Sequence, residues 1–314
     1  MDTRDRDALT AAKLYYRSDL SQAEVAAEMG CSRPTVAKLL QHAKDRGYVT
    51  IEVHDPQEAD EILIEDLTSR YALEGVRIVH PANTSSEIMD DLGVAGARYL
   101  ESMPLDGLSV GVSWGKTLLN IARNLRPTNM RARQIVQLKG GSSRSNLATN
   151  DFETITGFCT ALNAPALTLP LPVIFERVET KEIVEQDSHI ADVLQQGRET
   201  DVAVFTVGSV RKQSLLMNLG YLSEEMSREL LGVAVGDACS RFYTREGDVA
   251  SKRIDDLTVG IELDELRARP RRVLVAGGLY KAEAIETALW MGLASDLVID
   301  QPTAVRVLEI AKTR

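Results

Sequence analysis

Histidine, cysteine and aromatic side chains are scarce in this chain of 314 residues, which has 4 His, 3 Cys and 5% Phe, Trp and Tyr. Cys31, Cys159 and Cys239 lie far apart, are odd in number and stand near no histidine cluster. They read as structural thiols, not as a disulfide framework or a zinc site, and no metal is expected. Long apolar runs are also missing: no stretch reaches the roughly 18 residues that a membrane span requires. Met1–Asp7 is rich in charge and lacks the apolar core of a signal peptide. A cytoplasmic location without membrane partners is the expectation.

The composition is that of a globular protein, with 44% hydrophobic and 26% charged residues. The length suits one small and one large domain better than a single core. A net charge of −10 argues at first against nucleic acid, but the charge is unevenly spread. Met1–His54 carries eight basic and eight acidic residues, so the whole excess lies beyond it. Within Cys31–Thr50, Arg33, Lys38, Lys44 and Arg46 face Asp45 alone. A locally basic head on an acidic body fits site-specific DNA binding better than uniform adhesion.

In that head Asp5–Tyr16 reads as a helix. Ser21 with Glu24 three residues on forms a capping box for a second helix, Gln22–Met29, which stops at Gly30. Ser32 caps a third, with Pro34 in its first turn, running to about Arg46 and ending at Gly47. Ala26, Gly30 and Val36 supply what a steep helix crossing demands: a small contact residue, a glycine in the turn and a branched apolar lock. The pattern is a helix-turn-helix, and Tyr48–Val53 alternates as a strand, so a wing is expected. Ser21, Gln22, Ser32, Arg33, Pro34, Thr35 and Lys38 are the candidate DNA contacts. The planar fork of Arg33 suits guanine, whereas Lys38, Lys44 and Arg46 suit phosphates. The alternative is a helical hairpin for protein contact.

Asp55-Pro-Gln-Glu marks a boundary, giving a DNA-binding domain over 1–54 and a larger domain over 55–314. After a helix at Ala59–Tyr71, strand-like runs appear at Val76–Val79, Leu108–Val112, Gln134–Leu138, Ala166–Leu171, Val202–Val207, Arg272–Ala276 and Asp296–Ile299. Helical segments at Ser86–Glu101, Thr117–Leu125, Glu179–Gln196 and Ala282–Met291 separate most of them. The expected fold class is α/β: a mainly parallel sheet covered on both faces, behind the helix-turn-helix.

Ligands of such sheets bind at the carboxyl ends of strands. Four glycine-bearing loops follow strands: Gly111-Val-Ser-Trp-Gly, Lys139-Gly-Gly, Gly208-Ser and Gly277-Gly-Leu-Tyr-Lys. Glycines let backbone approach an anion, and a helix start favours negative charge. The candidate effector contacts are Ser113, Trp114, Gly115, Lys139, Gly140, Gly141, Gly208, Asp237, Gly277, Gly278 and Lys281. Gly111-Val-Ser-Trp-Gly also matches a hydrolase nucleophile elbow, but the only later histidine, His189, falls within a helical segment. Ser113 reads better as a hydroxyl donor to phosphate. Lys139 ends an apolar strand, where desolvation would favour the neutral amine. It is either a Schiff-base nucleophile toward an open-chain sugar aldehyde or an ammonium partner for an anion. Asp237 could accept from sugar hydroxyls, and Arg241 could clamp a phosphate or pair across a subunit contact.

Taken together, Leu14-Tyr-Tyr, Ser21-Gln, Ser32-Arg-Pro-Thr-Val, Leu39-Leu-Gln, Gly111-Val-Ser-Trp-Gly, Val136-Gln-Leu-Lys-Gly-Gly, Gly236-Asp-Ala-Cys-Ser-Arg-Phe and Val275-Ala-Gly-Gly resemble the SorC family of sugar-responsive regulators. The resemblance spans nearly the whole chain. It implies an effector domain of the sugar-phosphate isomerase-like type without enzyme activity or cofactor. It implies partners too: operator double-stranded DNA, a small phosphorylated sugar, and further copies of the chain in a homotetramer. Within the family it runs nearest to members governing deoxyribonucleoside breakdown, which implies a repressor released by deoxyribose 5-phosphate. Lys139 would then hold the sugar carbon, and Lys281 with its neighbouring glycines the phosphate. Leu279-Tyr280 departs from the more polar loop expected there. The rival readings are an isomerase- or aldolase-like enzyme with a DNA-binding head, and an activator.

Overall fold

The computed structural model describes residues 2–49, 56–80 and 85–314, without the side chains of 56–59 and 85–87. The chain forms two compact units, Met1–Pro56 and Gln57–Arg314. The first holds helices α1 (Thr3–Tyr16), α2 (Gln22–Glu28) and α3 (Arg33–Asp45). The capping box is present at Ser21, whose amide donates to Glu24 Oε2 at 2.8 Å. Gly30 takes φ +62° in the turn between α2 and α3. A small core of Ala8, Ala11, Val25, Ala26, Val36, Leu40 and Ala43 joins the three helices. Asp5, buried in α1, binds His42 at 2.9 Å and Arg46 at 3.3 Å, tying the first helix to the far end of the third. That tie was not apparent from sequence spacing. The expected wing falls from residue 50 onward outside the described residues.

The second unit opens with α4 (Pro56–Tyr71) and β1 (Gly75–Val79). It continues through α5 (Ser85–Glu101), β2 (Ser109–Val112), α6 (Lys116–Asn124), β3 (Gln134–Gln137), α7 (Asp151–Leu162) and β4 (Ala166–Leu167). Then come α8 (Val178–Glu185), α9 (Ser188–Arg198), β5 (Val202–Phe205), β6 (Val207–Ser209), α10 (Glu224–Val233), β7 (Ala234–Ala238) and β8 (Arg241–Thr244). It closes with α11 (Lys252–Leu257), α12 (Leu263–Arg267), β9 (Arg271–Val275), α13 (Ala282–Trp290), β10 (Asp296–Asp300) and α14 (Gln301–Ala311).

Seven strands form one parallel sheet in the order β1-β10-β9-β5-β2-β3-β4. Both faces are covered, so the strands read as unbroken apolar runs. In β5, Val202 and Val204 join a core shared with Leu92, Leu118, Ile121 and Phe158 of α5, α6 and α7. Ala203 and Phe205 point the other way, into a core shared with Leu67, Ile285, Ala288 and Val307 of α4, α13 and α14. From β2 the chain steps outward through β3 to β4, then returns to lay β5 on the opposite side of β2 and continues through β9 to β10, which pairs with β1 at the far edge. The β2–β5 seam is therefore the switch point, where a crevice opens at the strand carboxyl ends.

Four expectations need correction. Glu179–Gln196 is two helices, because the Asp187 carboxylate caps the amides of His189 and Ile190 and starts α9 afresh. The run Ala166–Leu171 pairs only at Ala166–Leu167; Pro170 and Pro172 bring no amide to a ladder. Val202–Val207 splits into β5 and β6. Gly208-Ser209 is not a loop but part of β6, in an antiparallel sheet β6-β7-β8 that the α/β pattern did not foretell.

Candidate functional site

On the first unit, α3 begins with Ser32 capping Thr35 and turns Arg33, Pro34, Thr35 and Lys38 outward as exposed residues. Ser21 is exposed at the start of α2, with Gln22 half-buried beside it. Arg33, Lys38 and Lys44 form no ion pair among the described residues, which leaves a row of uncompensated cations along one helix. Arg46 is not wholly part of that row, since Asp5 holds it.

On the second unit, a cleft of about 530 Å³ opens above the β2–β5 seam. The turn after β2 supplies Trp114 and Gly115, and the segment just past β3 supplies Lys139. Thr206, Gly208 and Arg211 come from the segment through β6, Asp237 from β7, and Lys281 from the 3-10 turn before α13. Among the described lining residues the cations Lys116, Lys139, Arg211 and Lys281 outnumber the one carboxylate, Asp237. Gly115, at φ +140°, begins α6 without any side-chain cap, so the first amides of that helix and Lys116 and Thr117 border the cleft.

Lys139 is buried, its ammonium nitrogen 3.8 Å from the centre of the Trp114 ring and 3.1 Å from Ser240 Oγ. The Trp114 indole N–H donates to Gly140 O at 2.8 Å, which fixes the ring under the lysine. Burial lowers the Lys139 pKa, against the pull of Asp237 and Cys239. Burial raises that of Asp237, against Lys139 and Lys281. It brings Lys281 down to about 8, Asp237 again opposing, and pushes Cys239 up to about 11. Each shift runs toward the neutral form, as desolvation requires.

Among the sequence-predicted residues the cleft collects Trp114, Gly115, Lys139, Gly208, Asp237 and Lys281. Five others stand outside its lining. Ser113 is 1% exposed, and its hydroxyl lies near the Cys239 thiol without a hydrogen-bond partner among the described residues, outside the cleft lining. The Gly140 amide donates to Val259 O and the Gly141 amide to Leu171 O. A side chain at Gly140 would strike the Pro172 carbonyl, and one at Gly141 the Asp151 carboxylate. The Gly278 amide donates to Asp300 Oδ2 at 2.8 Å, and Gly277 packs against the same carboxylate. These glycines permit close packing instead of cradling an anion.

Arg241 is spent internally on Asp255, Gly260 and Ile261, so it reaches no ligand. His189 is exposed on α9 and absent from the cleft, which removes the hydrolase reading. Sequence reasoning missed Lys116, Thr206 and Arg211. Arg211 stacks over Tyr280 at 4.0 Å, and the buried Thr206 hydroxyl has no hydrogen-bond partner among the described residues. Only Lys116, next to the noted Gly115, carried a signal. Among the described residues no group of His, Cys, Asp or Glu is placed to hold a metal ion, and no helix is long and apolar enough to cross a membrane.

Residues 55–309 match the family model described as "Putative sugar-binding domain". The chain is 44% identical over 298 residues to the deoxyribonucleoside regulator of Bacillus subtilis (strain 168), covering 95% of each chain. It is similar in structure to the full-length sorbitol operon regulator SorC from Klebsiella pneumoniae, with TM-score 0.73, 25% identity, and coverage of 98% of this chain and 99% of that one. A DeoR family transcriptional regulator from Listeria monocytogenes superposes with TM-score 0.72 at 28% identity, over 79% of this chain and 99% of that one.

Proposed function

Given that the chain belongs to the SorC family of sugar-binding transcriptional regulators, we propose that it is a repressor of deoxyribonucleoside or related pentose catabolism, released from its operator by deoxyribose 5-phosphate. The relatives above are named as regulators of transcription, and the chain is accordingly a regulator and not an isomerase- or aldolase-type enzyme.

The observation that carries the effector reading is the convergence of Lys139, Lys281, Lys116 and Arg211 on one cleft beside the uncapped start of α6. Cations and free helix amides suit a phosphate, while Asp237 and the unpartnered Thr206 hydroxyl suit sugar hydroxyls. The burial of Lys139 supports covalent capture of the open-chain aldehyde as a Schiff base at that amine. Docking the start of α3 in the major groove would set Arg33 and Thr35 toward base edges and Lys38, Lys44 and Arg46 toward phosphates. Ser21, Gln22, Ser32 and Pro34 then lie along the backbone at its edge. An oligomer, taken to be a tetramer, presents paired heads to a repeated or palindromic operator. Effector binding favours an arrangement in which the heads are badly spaced, with a coupling of about 1–3 kcal/mol.

The test is a gel-shift titration of the full-length protein on a duplex selected from random DNA. Deoxyribose 5-phosphate is expected to weaken the complex 5- to 150-fold, roughly the range of such couplings. An unchanged DNA affinity overturns the effector assignment.

A further inference from the structure

Phosphate recognition leaves unexplained why a carboxyl group is buried among lysines at the inner end of the cleft. Lys139 Nζ donates to Ser240 Oγ at 3.1 Å, and the Ser240 amide donates to Asp237 Oδ2 at 3.2 Å. One serine thus ties the amine just past β3 to the carboxyl of β7. Ser240 is fully buried and, with Cys239, makes the two-residue turn joining β7 to β8. The two residues adopt φ +50° and +70°, a conformation usually left to glycine or asparagine. A buried Cys-Ser pair held there is backbone strain of the kind concentrated at working sites. Lys139 and Asp237 both face the cleft, whereas Ser240 stands behind them.

We propose that Asp237, positioned by Ser240, is the general acid that expels water when Lys139 condenses with the aldehyde of the open-chain sugar. The proposal rests on the covalent-capture reading given above. Free, the neutral amine and the neutral carboxylic acid are the forms that burial favours. The Lys139 nitrogen adds to the aldehyde carbon; the C–N bond forms, the C=O π bond breaks, and a nitrogen proton passes to oxygen to give the carbinolamine. The C–O bond then breaks as the nitrogen lone pair closes the C=N bond. The departing hydroxide takes the Asp237 proton and leaves as water. An iminium at Lys139 and a carboxylate at Asp237 remain, an ion pair built from two neutral groups with no net proton exchanged with solvent. Of the other groups facing Asp237, Lys281 opposes its protonation, while Cys239 and Tyr243 stay neutral because burial raises both.

The experiment follows adduct formation in the full-length protein at saturating deoxyribose 5-phosphate, with time points quenched in borohydride and read by intact mass. Saturation removes any change of affinity from the measured rate. The wild-type rate should rise with pH as Lys139 loses its proton, then fall as Asp237 loses its own. Asp237→Asn should slow the step about 100-fold or more and keep only the rising limb. Ser240→Gly, which suits the positive φ and keeps the amide, should lower the saturating rate by less while retaining both limbs. A wild-type rate without the falling limb, or an Asp237→Asn rate equal to wild type, overturns the role of Asp237. No adduct in the wild-type protein overturns covalent capture itself. The wild-type profile alone exposes the proposal to failure if Asp237→Asn does not fold.

Discussion

Lys281 is the residue where burial and ligand charge pull in opposite directions. Its ammonium is costly in the free cleft, which brings its pKa down to about 8 with Asp237 opposing and Arg211 adding to the decrease. In an unfolded chain it would titrate near 10.5. The sign follows: the free fold carries a penalty in full below about pH 8, and the penalty fades as pH rises toward 10.5. A bound phosphate raises the pKa again, so binding takes up a proton once the free lysine is neutral. Effector affinity is therefore expected to hold steady up to about pH 8 and to fall above it, by at most about tenfold per pH unit. Calorimetric titrations in buffers of different ionisation enthalpy measure both the slope and the proton uptake. Lys281→Met should bind more weakly at neutral pH and lose the slope; a slope that survives in the variant would assign the effect elsewhere.

Individual elements show how the cleft is held in place. Strand β7 packs on α13 through Gly236, where an added Cβ would lie 2.6 Å from the Ala284 Cβ and 2.7 Å from the Tyr243 hydroxyl. That hydroxyl already donates to Ala284 O at 2.8 Å. Gly236→Ala should push β7 off the helix, lower stability by about 1–3 kcal/mol and displace Asp237 one residue away. Urea midpoints of the two proteins, with the slope unchanged, would measure it; equal midpoints would mean that the helix gives way freely. In the first unit, Arg33 and Lys38 occupy the same exposed helix but should fail differently. Arg33→Ala should cost about 1–3 kcal/mol on the preferred duplex and relax one base position, while Lys38→Ala should weaken all duplexes alike and reduce the salt slope by about one. Binding titrations across salt concentrations separate the two, and identical behaviour would remove the guanine-reading role.

At the scale of the whole molecule, two units with separate cores divide the charge unequally, the excess of −10 falling beyond residue 54. The switch point between β2 and β5 exists only because strands distant in sequence lie side by side, and it gathers residues from 89 to 281. Local patterns were legible because local physics decides them. Capping at Ser21 and Ser32, the turn at Gly30 and the seven apolar runs each follow from neighbours a few residues away. Sheet membership of β6, β7 and β8 was not legible, since pairing partners stand up to about thirty residues apart and the strands are short.

The sequence by itself determined the spacing of the three N-terminal helices and the parallel α/β class, because periodicity, caps and burial on two faces are written in consecutive residues. Only the tertiary structure decided which glycines face the cleft. Gly140, Gly141, Gly277 and Gly278 share the composition of anion-binding loops, yet close packing or amides spent on Val259, Leu171 and Asp300 take them out of the site. It likewise brought in Thr206 and Arg211 and linked Lys139 to Asp237 through Ser240, because a hydrogen bond between residues 101 apart depends on how the strands are laid together.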